Sequence, residues 1–209
     1  IEFINKVDKS KPFMLNLCFS APHAHDSAPD QYFTANEYEN LLANVNMPAP
    51  ILSEDKYFMA QPENVRKGFS RLRWTWRFDN PVKYQKMVKA YYNMITEMDA
   101  EIGKVIGALK KQGLDKNTII IVLGDNGYLL GERQLADKWL MYDASVKVPL
   151  IIFDPRVNKH TEISDMALNV DVTSTILDYA GVKIPDQYQG LSLKNINTNR
   201  NGRINRDTI

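Results

Sequence analysis

Residues 118–127 read Thr-Ile-Ile-Ile-Val-Leu-Gly-Asp-Asn-Gly, a β-branched apolar run that passes directly into a polar turn. Continuous apolar runs of this kind are typical of central strands in parallel sheets, which are buried on both faces. In such sheets, ligands bind beyond the carboxyl ends of the strands. The stretch therefore predicts a buried strand over residues 118–123 and a candidate site in the turn that follows it.

Two other apolar runs predict further strands. Residues 13–19 read Phe-Met-Leu-Asn-Leu-Cys-Phe, and residues 148–153 read Val-Pro-Leu-Ile-Ile-Phe. Both runs are short, apolar and followed by polar or loop-forming residues, as strands are. We expect the first to be a buried strand in which Cys18 is a small core residue.

Helical patterns separate these strands. From Met87 to Leu109, apolar residues recur three or four positions apart, which predicts a long amphipathic helix. Asp79 or Asn80 is a suitable cap for its start, and Gly113 is a suitable stop. Residues 170–179 predict a second helix that ends before Gly181. Alternating strands and helices indicate an α/β fold with a mostly parallel sheet flanked by helices.

The domain organisation follows from the same pattern. Residues 24–80 lack a clear period and contain several prolines, so we expect a long loop that covers a site. We expect residues 1–195 to form the later part of one large domain. Residues 196–209 are polar and are predicted to be a linker toward a further C-terminal subdomain. Both ends of the chain look cut, so the sequence predicts an incomplete fragment.

Composition excludes several classes of protein. The 209 residues include 26 basic and 25 acidic side chains, which gives a net charge of +1. This balance argues against nucleic acid as a partner and against an anionic membrane surface. No apolar run is long enough to predict a membrane span. One cysteine rules out an internal disulfide and a multi-cysteine metal site.

Four polar side chains follow the apolar strands. Asp125 and Asn126 offer a carboxylate and an amide oxygen, the donors that Ca²⁺ or Mg²⁺ prefers, although Asp-Asn-Gly sequences also mark ordinary tight turns. His23 and His25 lack a nearby third zinc ligand. A proton donor, an anion contact and a loop histidine bonded to backbone all remain possible.

Basic and aromatic residues supply the remaining candidates. Lys138 follows the turn at residues 125–127, where a lone lysine is either an anion ligand or a solvated surface charge. Arg71, Trp74 and Trp76 interleave a cation with aromatic rings. These three side chains could stack on a sugar or pack within a loop.

Together these segments resemble the sulfatase family. The Ala-Pro-His after the first strand, the Met-Asp-Ala-Glu-Ile-Gly of the long helix and the Gly-Asp-Asn-Gly turn are similar to the family's motifs in the family's order. The Gly-Glu at 131–132, Lys138, Tyr142, the Val-Pro-Leu-Ile at 148–151 and the Gly-Leu-Ser-Leu at 190–193 also match. The resemblance implies an alkaline-phosphatase-like fold and hydrolysis of a sulfate ester, on a glycan or an aryl compound.

The resemblance also implies roles for individual residues. Asp125 and Asn126 would be ligands of one divalent cation, Ca²⁺ or Mg²⁺. Lys138 would bind a sulfate oxygen, and His23 would contact the sulfate or protonate the leaving oxygen. The expected partner is a sulfated small molecule or glycan, bound with weaker help from Arg71, Trp74 and Trp76. The family suggests a periplasmic, secreted or lysosomal location.

Departures from the family pattern leave two alternatives. The family attacks with a formylglycine made within Cys/Ser-x-Pro-x-Arg, and Cys18 does not stand in that motif, so the nucleophile is expected upstream and the chain alone is expected to be inactive. Arg133 stands where some relatives carry His. One alternative is a phosphodiesterase or phosphoryl transferase of the same superfamily. The other is a non-catalytic fragment.

Overall fold

The structure is a computed structural model that describes residues 1–198, 204 and 206. These residues form eight α-helices and four short strands, in the order α1 (Glu2–Lys6), α2 (Asp55–Met59), α3 (Glu63–Arg66), α4 (Phe69–Arg77), α5 (Pro81–Gln112), β1 (Ile120–Leu123), β2 (Leu129–Leu130), β3 (Ala136–Asp137), α6 (Asp143–Val146), β4 (Leu150–Phe153), α7 (Asn169–Tyr179) and α8 (Lys194–Thr198). The α/β prediction is confirmed.

Two compact units account for the described residues, and the first contains residues 1–114 and 126–147. Its core gathers side chains from the loop before α2, from α4 and α5, and from β3. The fully packed members are Ala24, Tyr32, Phe78, Met87, Val88, Met94 and Ala136. Strands β2 and β3 pair antiparallel within this unit. The core therefore fixes the loop after His23 and the segment before Lys138 in one unit.

Helix α5 matches its sequence prediction at both ends. The side chain of Asn80 accepts a hydrogen bond from the Lys83 N–H, and Pro81 occupies the first turn. Gly113 ends the helix with φ 70°, a left-handed conformation that glycine adopts without steric cost. Met87, Met94 and other positions of the predicted stripe face the core, so burial of one face stabilises the helix.

The second unit contains residues 115–125 and the described residues from 148 onward. Strands β1 and β4 pair antiparallel in register, with Ile120 opposite Phe153 and Leu123 opposite Leu150. Helix α7 confirms the predicted helix over residues 170–179. The buried carboxylate of Asp171 accepts hydrogen bonds from the N–H groups of Leu168 and Leu191 and from Arg206. The Asp171 carboxylate therefore joins the start of α7 to the segment at Leu191 within this unit.

The strand predicted at residues 13–19 does not form. This segment has no strand conformation, and the described part of the chain offers it no ladder partner. Met14, Leu17 and Phe19 are consequently exposed, and so is Cys18, which is not the core residue that was expected. A strand needs a hydrogen-bonded neighbour as well as an apolar pattern. Both strand pairs among the described residues, β1 with β4 and β2 with β3, are antiparallel.

The burial of β1 also differs from the prediction. Residues 120–122 are half-buried and Leu123 is exposed, whereas the apolar run predicted burial on both faces. Strand β4 alternates between half-buried and exposed side chains. Because β1 pairs only with β4 among the described residues, its second edge and parts of its faces remain uncovered.

The predicted loop over residues 24–80 contains helices. α2, α3 and α4 lie within it, and only α4 exceeds five residues. Short helices of this kind carry little periodic signal, so the sequence pattern missed them. The predicted linker at 196–209 lies largely outside the described residues. Among the residues that the structure does describe, no helix has both the length and the apolar character needed to cross a bilayer.

Candidate functional site

Helix α4 places two arginines on one face. Arg73 and Arg77 are four residues apart, so their side chains lie one above the other along the helix. Arg77 is 0% exposed, and its Nε donates to Oε1 of the buried Gln31 at 2.5 Å. A fully buried guanidinium is costly unless carboxylates compensate its charge. The two arginines therefore require anionic partners.

Asp26 and Asp137 are those partners. Arg73 donates through one terminal nitrogen to Asp26 and through the other to Oδ2 of Asp137 at 2.7 Å. Arg77 also donates to Asp26, and its other terminal nitrogen lies 3.3 Å from Oδ2 of Asp137. Each arginine thus bridges both carboxylates. We call Asp26, Arg73, Arg77 and Asp137 the four-charge cluster.

The cluster joins segments that are far apart in sequence. Asp26 belongs to the loop that begins at His23, and Asp137 directly precedes Lys138. Asp137 is 3% exposed and has φ 81°, a left-handed conformation that costs a non-glycine residue about 1–2 kcal/mol. Its two arginine partners hold the carboxylate in place despite that strain.

Lys138 is held close to the cluster. Its Nζ lies 3.7 Å from Oδ1 of Asp137, and its side chain is 20% exposed. On the other side, the guanidinium of Arg73 lies 4.1 Å from the ring centre of Trp139. Arg73 therefore contacts the residue before Lys138 and the residue after it, and the lysine retains access to solvent.

His23 lies on an exposed turn. Its backbone N–H donates to the Ser20 carbonyl at 2.9 Å, and its Nδ1 lies 2.7 Å from the Ala24 carbonyl oxygen. Because a carbonyl oxygen only accepts hydrogen bonds, Nδ1 carries a proton in this arrangement. Nε2 is then the nitrogen that can exchange a proton with a ligand. The backbone contact orients the ring without occupying Nε2.

Two tyrosines lie beside the cluster. The hydroxyl groups of Tyr32 and Tyr128 are 3.1 Å apart, and the Tyr128 ring stacks on Tyr91 of α5. Burial raises the pKa of Tyr32 to about 12, and burial also raises the pKa of Tyr128 above its ordinary range. Both hydroxyls therefore stay neutral at physiological pH. Their contact ties the segment after Asp26 to the segment after Asn126.

Glycines shape the turn that carries Asp125 and Asn126. A Cβ on Gly127 would lie 2.1 Å from the carbonyl oxygen of Ala144, and the Gly127 N–H donates to Ser145 at 2.8 Å. The preceding residues of the turn are held by Asn169, whose Nδ2 donates to the carbonyls of Gly124 at 3.1 Å and Asp125 at 3.0 Å. Close backbone packing and one side chain therefore define this turn.

The donor set of this turn suits a hard cation. Asp125 and Asn126 are consecutive and both exposed, and the Asn126 amide is oriented by its Nδ2 donation to Gly127 at 2.8 Å. Calcium takes about six to eight oxygen ligands, so this pair can supply only part of a shell. Over residues 1–198, 204 and 206, no cluster of three or more His, Cys, Asp or Glu side chains can hold a metal ion.

The three weaker candidates have different surroundings. Arg71 donates to the backbone and side chain of Gln134, and its guanidinium is stacked between the rings of Phe58 at 4.0 Å and Trp74 at 3.9 Å. Trp74 packs against the core. Trp76 is 37% exposed. Arg71 and Trp74 therefore have structural contacts, and Trp76 offers the most accessible ring.

Sequence reasoning missed the four-charge cluster. Asp26 and Asp137 lie beside predicted site residues, but nothing local identifies their partners. The spacing of Arg73 and Arg77 was the available signal, because two arginines on one face of a helix indicate a shared anionic partner. The pairings themselves span 47 to 64 residues of sequence.

Comparison with known sequences places this chain in a family. The sequence model of the sulfatase family matches residues 1–182. An arylsulfatase of Clostridium perfringens is 32% identical over 210 residues, which cover 96% of this chain and 40% of the relative. An N-acetylglucosamine-6-O-sulfatase of Bacteroides thetaiotaomicron is 34% identical over 163 residues, covering 74% of this chain and 28% of the relative. The chain thus spans less than half the length of these relatives.

Solved structures agree on the fold. A protein in complex with its substrate D-glucosamine-2-N,6-O-disulfate superposes with a TM-score of 0.79 at 24% identity, covering 99% of this chain and 52% of that one. A phosphonate monoester hydrolase from Silicibacter pomeroyi superposes with a TM-score of 0.74 at 27% identity, covering 90% of this chain and 37% of that one. These likenesses show the predicted alkaline-phosphatase-like α/β fold, in incomplete form. With the family match over residues 1–182, they show that the chain belongs to the sulfatase family.

Proposed function

We propose that the protein carrying this chain hydrolyses sulfate esters, and that this chain supplies part of the active site. Asp125 and Asn126 are the proposed metal ligands, Lys138 the sulfate-binding cation and His23 the proton donor. Family membership and the order of these residues in the sequence support the proposal. The chain alone is proposed to be inactive, because the expected formylglycine motif Cys/Ser-x-Pro-x-Arg does not occur in it.

The charge balance around Lys138 is the observation that carries the proposal. Within the described part of the chain, Arg73, Arg77 and Lys138 pair with two carboxylates, Asp26 and Asp137, so that part of the site carries one positive charge in excess. The two arginines already neutralise Asp137. The ammonium group of Lys138 therefore retains attraction for an anion such as the sulfate group of an ester.

Each proposed residue acts on a different part of the ester. Lys138 binds a nonbridging sulfate oxygen, where negative charge is present throughout the reaction. The oxygen–sulfur bond to the alcohol breaks, and His23 protonates the departing oxygen through Nε2. A divalent cation held by Asp125, Asn126 and further ligands would neutralise charge on the sulfate. The nucleophile, a formylglycine in this family, is expected in the upstream sequence.

A sulfated sugar is the proposed substrate. The name of one sequence relative refers to an N-acetylglucosamine 6-O-sulfate, and the substrate bound in one similar structure is a glucosamine disulfate. Arg71, Trp74 and Trp76 are proposed to line the sugar subsite, and the exposed ring of Trp76 is the best placed for stacking. A periplasmic, secreted or lysosomal location is proposed from the family alone.

A second candidate is hydrolysis of phosphonate or phosphate monoesters and diesters. The likeness to a phosphonate monoester hydrolase, at 27% identity and a TM-score of 0.74, favours it. Lys138 and His23 would serve a phosphoryl group in the same way, since both groups present anionic oxygens to the protein. The identity of the transferred group therefore has to be measured.

Turnover of matched esters distinguishes the candidates. The product of the complete reading frame that encodes this chain would be assayed with 4-nitrophenyl sulfate, glucosamine 6-sulfate and 4-nitrophenyl phenylphosphonate. We expect kcat/KM to be highest for a sulfate ester, to fall with a chelator and to recover with Ca²⁺. A higher kcat/KM for the phosphonate ester would establish the second candidate instead, and no turnover of any ester would contradict both.

A further inference from the structure

We infer, on the basis of the proposed function, that the four-charge cluster is a clamp that positions Lys138 and His23 for reaction. Arg73 and Arg77 are positioning residues in this account, since they act through Asp26 and Asp137 and do not touch the substrate. The clamp joins the loop that carries the proton donor to the loop that carries the sulfate-binding cation.

The first argument is the placement of the two carboxylates. Asp26 follows His23 by three residues, and Asp137 directly precedes Lys138. Both arginines bridge both carboxylates, so neither loop can move without breaking ion pairs to the same two side chains. Planar guanidinium groups fix direction as well as distance in such pairs. The cluster therefore restrains the two loops jointly.

The second argument is the contact of Arg73 on both sides of Lys138. Its guanidinium donates to Asp137 at 2.7 Å and lies 4.1 Å from the ring centre of Trp139. Its Nε is buried and has no hydrogen-bond partner among the described residues. Arg73 therefore contacts the residues on both sides of Lys138 in sequence, although its own Nε makes no hydrogen bond there.

The third argument is the strain at Asp137. Its φ of 81° turns the backbone directly before Lys138, and this conformation persists only where surrounding contacts hold it. The ion pairs from Arg73 and Arg77 are such contacts. A lysine at position 73 would keep the charge, but a point charge cannot span two carboxylates and an aromatic ring as a guanidinium does.

The test uses the product of the complete reading frame and the variant Arg73→Gln. Arg73 is partly accessible to solvent, so its replacement is less disruptive than that of buried Arg77. We expect kcat for the preferred sulfate ester to fall by about 10- to 100-fold per folded molecule, since small misplacements of reacting groups have effects of that size. Arg73→Lys should fail to restore kcat.

Two further variants test the linkage. Because Asp26 pairs with both arginines, the double variant Arg73→Gln with Asp26→Asn should lose less activity than the product of the two single-variant losses, since both changes act on one linkage. A loss equal to that product would overturn the linkage. Arg156→Gln is the matched control. It breaks a bidentate pair with the buried Asp154 in the other unit, and kcat should stay within about twofold of the wild-type value.

Hydrogen exchange separates the clamp from the proposed function. In Arg73→Gln, the amide hydrogens of residues 23–26 and 136–139 should exchange faster together, and this readout needs no turnover. Unchanged exchange would overturn the clamp. Faster exchange with unchanged kcat would assign it a structural role only and overturn the positioning role. Wild-type protein that hydrolyses no ester would refute the proposed function, while exchange would still decide whether the two loops are linked.

Discussion

The turn at residues 124–127 and the loop at residues 131–138 hold candidate site residues by opposite means. The turn depends on the absence of side chains, since a Cβ at Gly127 would collide with the Ala144 carbonyl. The loop depends on charged side chains, since Arg73 and Arg77 pair with Asp137 beside Lys138. Backbone packing fixes the proposed metal ligands, whereas ion pairs fix the proposed sulfate ligand.

This difference teaches what each region tolerates. A turn built on close backbone approach is insensitive to salt and pH but fails with one added methyl group. A loop held by buried ion pairs depends on each charge and on the shape of the guanidinium groups, so it does not tolerate the loss of a charge. Substitutions in the two regions should therefore destabilise the protein for different reasons, and their effects can be measured in the product of the complete reading frame.

Arg77→Ala should have the largest effect. It leaves Asp26 and Asp137 without one of their two cations in a buried setting, so the free energy of unfolding should fall by about 3–5 kcal/mol. Urea denaturation followed by tryptophan fluorescence measures the change. Arg156→Ala, at an exposed guanidinium, is the control with a smaller expected loss. Equal losses in the two variants would show that the cluster holds the loop no better than a pair with one exposed guanidinium holds its own segment.

Gly127→Ala should have the next largest effect on the free energy of unfolding. The added Cβ would lie 2.1 Å from a backbone oxygen, so the chain has to shift, at a cost of about 3 kcal/mol. Gly107→Ala is the matched control, because no atom lies within 4 Å of the added Cβ and alanine favours the helix. Thermal unfolding of both variants gives the comparison. A Gly127→Ala protein as stable as the Gly107→Ala protein would contradict the packing of the turn.

The buried Tyr32 hydroxyl, which contacts Tyr128, should make the free energy of unfolding fall at alkaline pH. Burial raises the pKa of Tyr32 to about 12, so the folded state keeps a proton that the unfolded state releases near pH 10. The contribution of the Tyr32 hydroxyl to the free energy of unfolding is therefore complete below about pH 10. It is lost as pH rises toward 12, by an amount on the order of 2 kcal/mol.

Urea denaturation at pH 8, 10 and 11 tests this expectation. Tyr32→Phe removes the ionising hydroxyl, so its stability should decline less steeply than that of the wild type over this range. Tyr57→Phe, at a tyrosine outside this contact, is the control and should follow the wild-type curve. Parallel curves for Tyr32→Phe and the wild type would show that the buried hydroxyl does not contribute.

Asn169→Ala should have the smallest effect. It removes two hydrogen bonds to the carbonyls of Gly124 and Asp125, which together contribute about 1–2 kcal/mol. Asn169→Asp keeps the size of the side chain but cannot donate, so it should lose a similar amount. Hydrogen exchange and urea denaturation measure the loss. An unaffected Asp variant would mean that the shape of residue 169 matters more than its donors.

The sequence predicted the elements that depend on local pattern. Helix α5 was predictable at both ends, because the apolar period, Asn80 and Gly113 are all local features. The turn at residues 124–127 and the helix over residues 170–179 were predictable for the same reason. The fold class followed from the order of these elements along the chain.

Features that depend on distant partners were not predictable. Residues 13–19 have a strand's composition, but no partner strand pairs with them among the described residues, so Cys18 is exposed. The partners of Arg73 and Arg77 lie 47 to 64 residues away in sequence, and no local signal identifies which residues those partners are. The roles of His23, Lys138, Asp125 and Asn126 remain predictions, since side-chain position alone does not establish chemistry.

One kinetic comparison tests the sulfatase proposal most directly. The kcat/KM for a sulfate ester would be measured for the wild-type product of the complete reading frame, for Lys138→Ala and for Lys147→Ala, whose exposed ammonium pairs with Asp143 on the surface. We expect Lys138→Ala to lose at least about 100-fold, the size of effect typical of a group that stabilises transition-state charge, and Lys147→Ala to retain wild-type activity. Equal activity in all three proteins would contradict the assignment of Lys138 as the sulfate ligand.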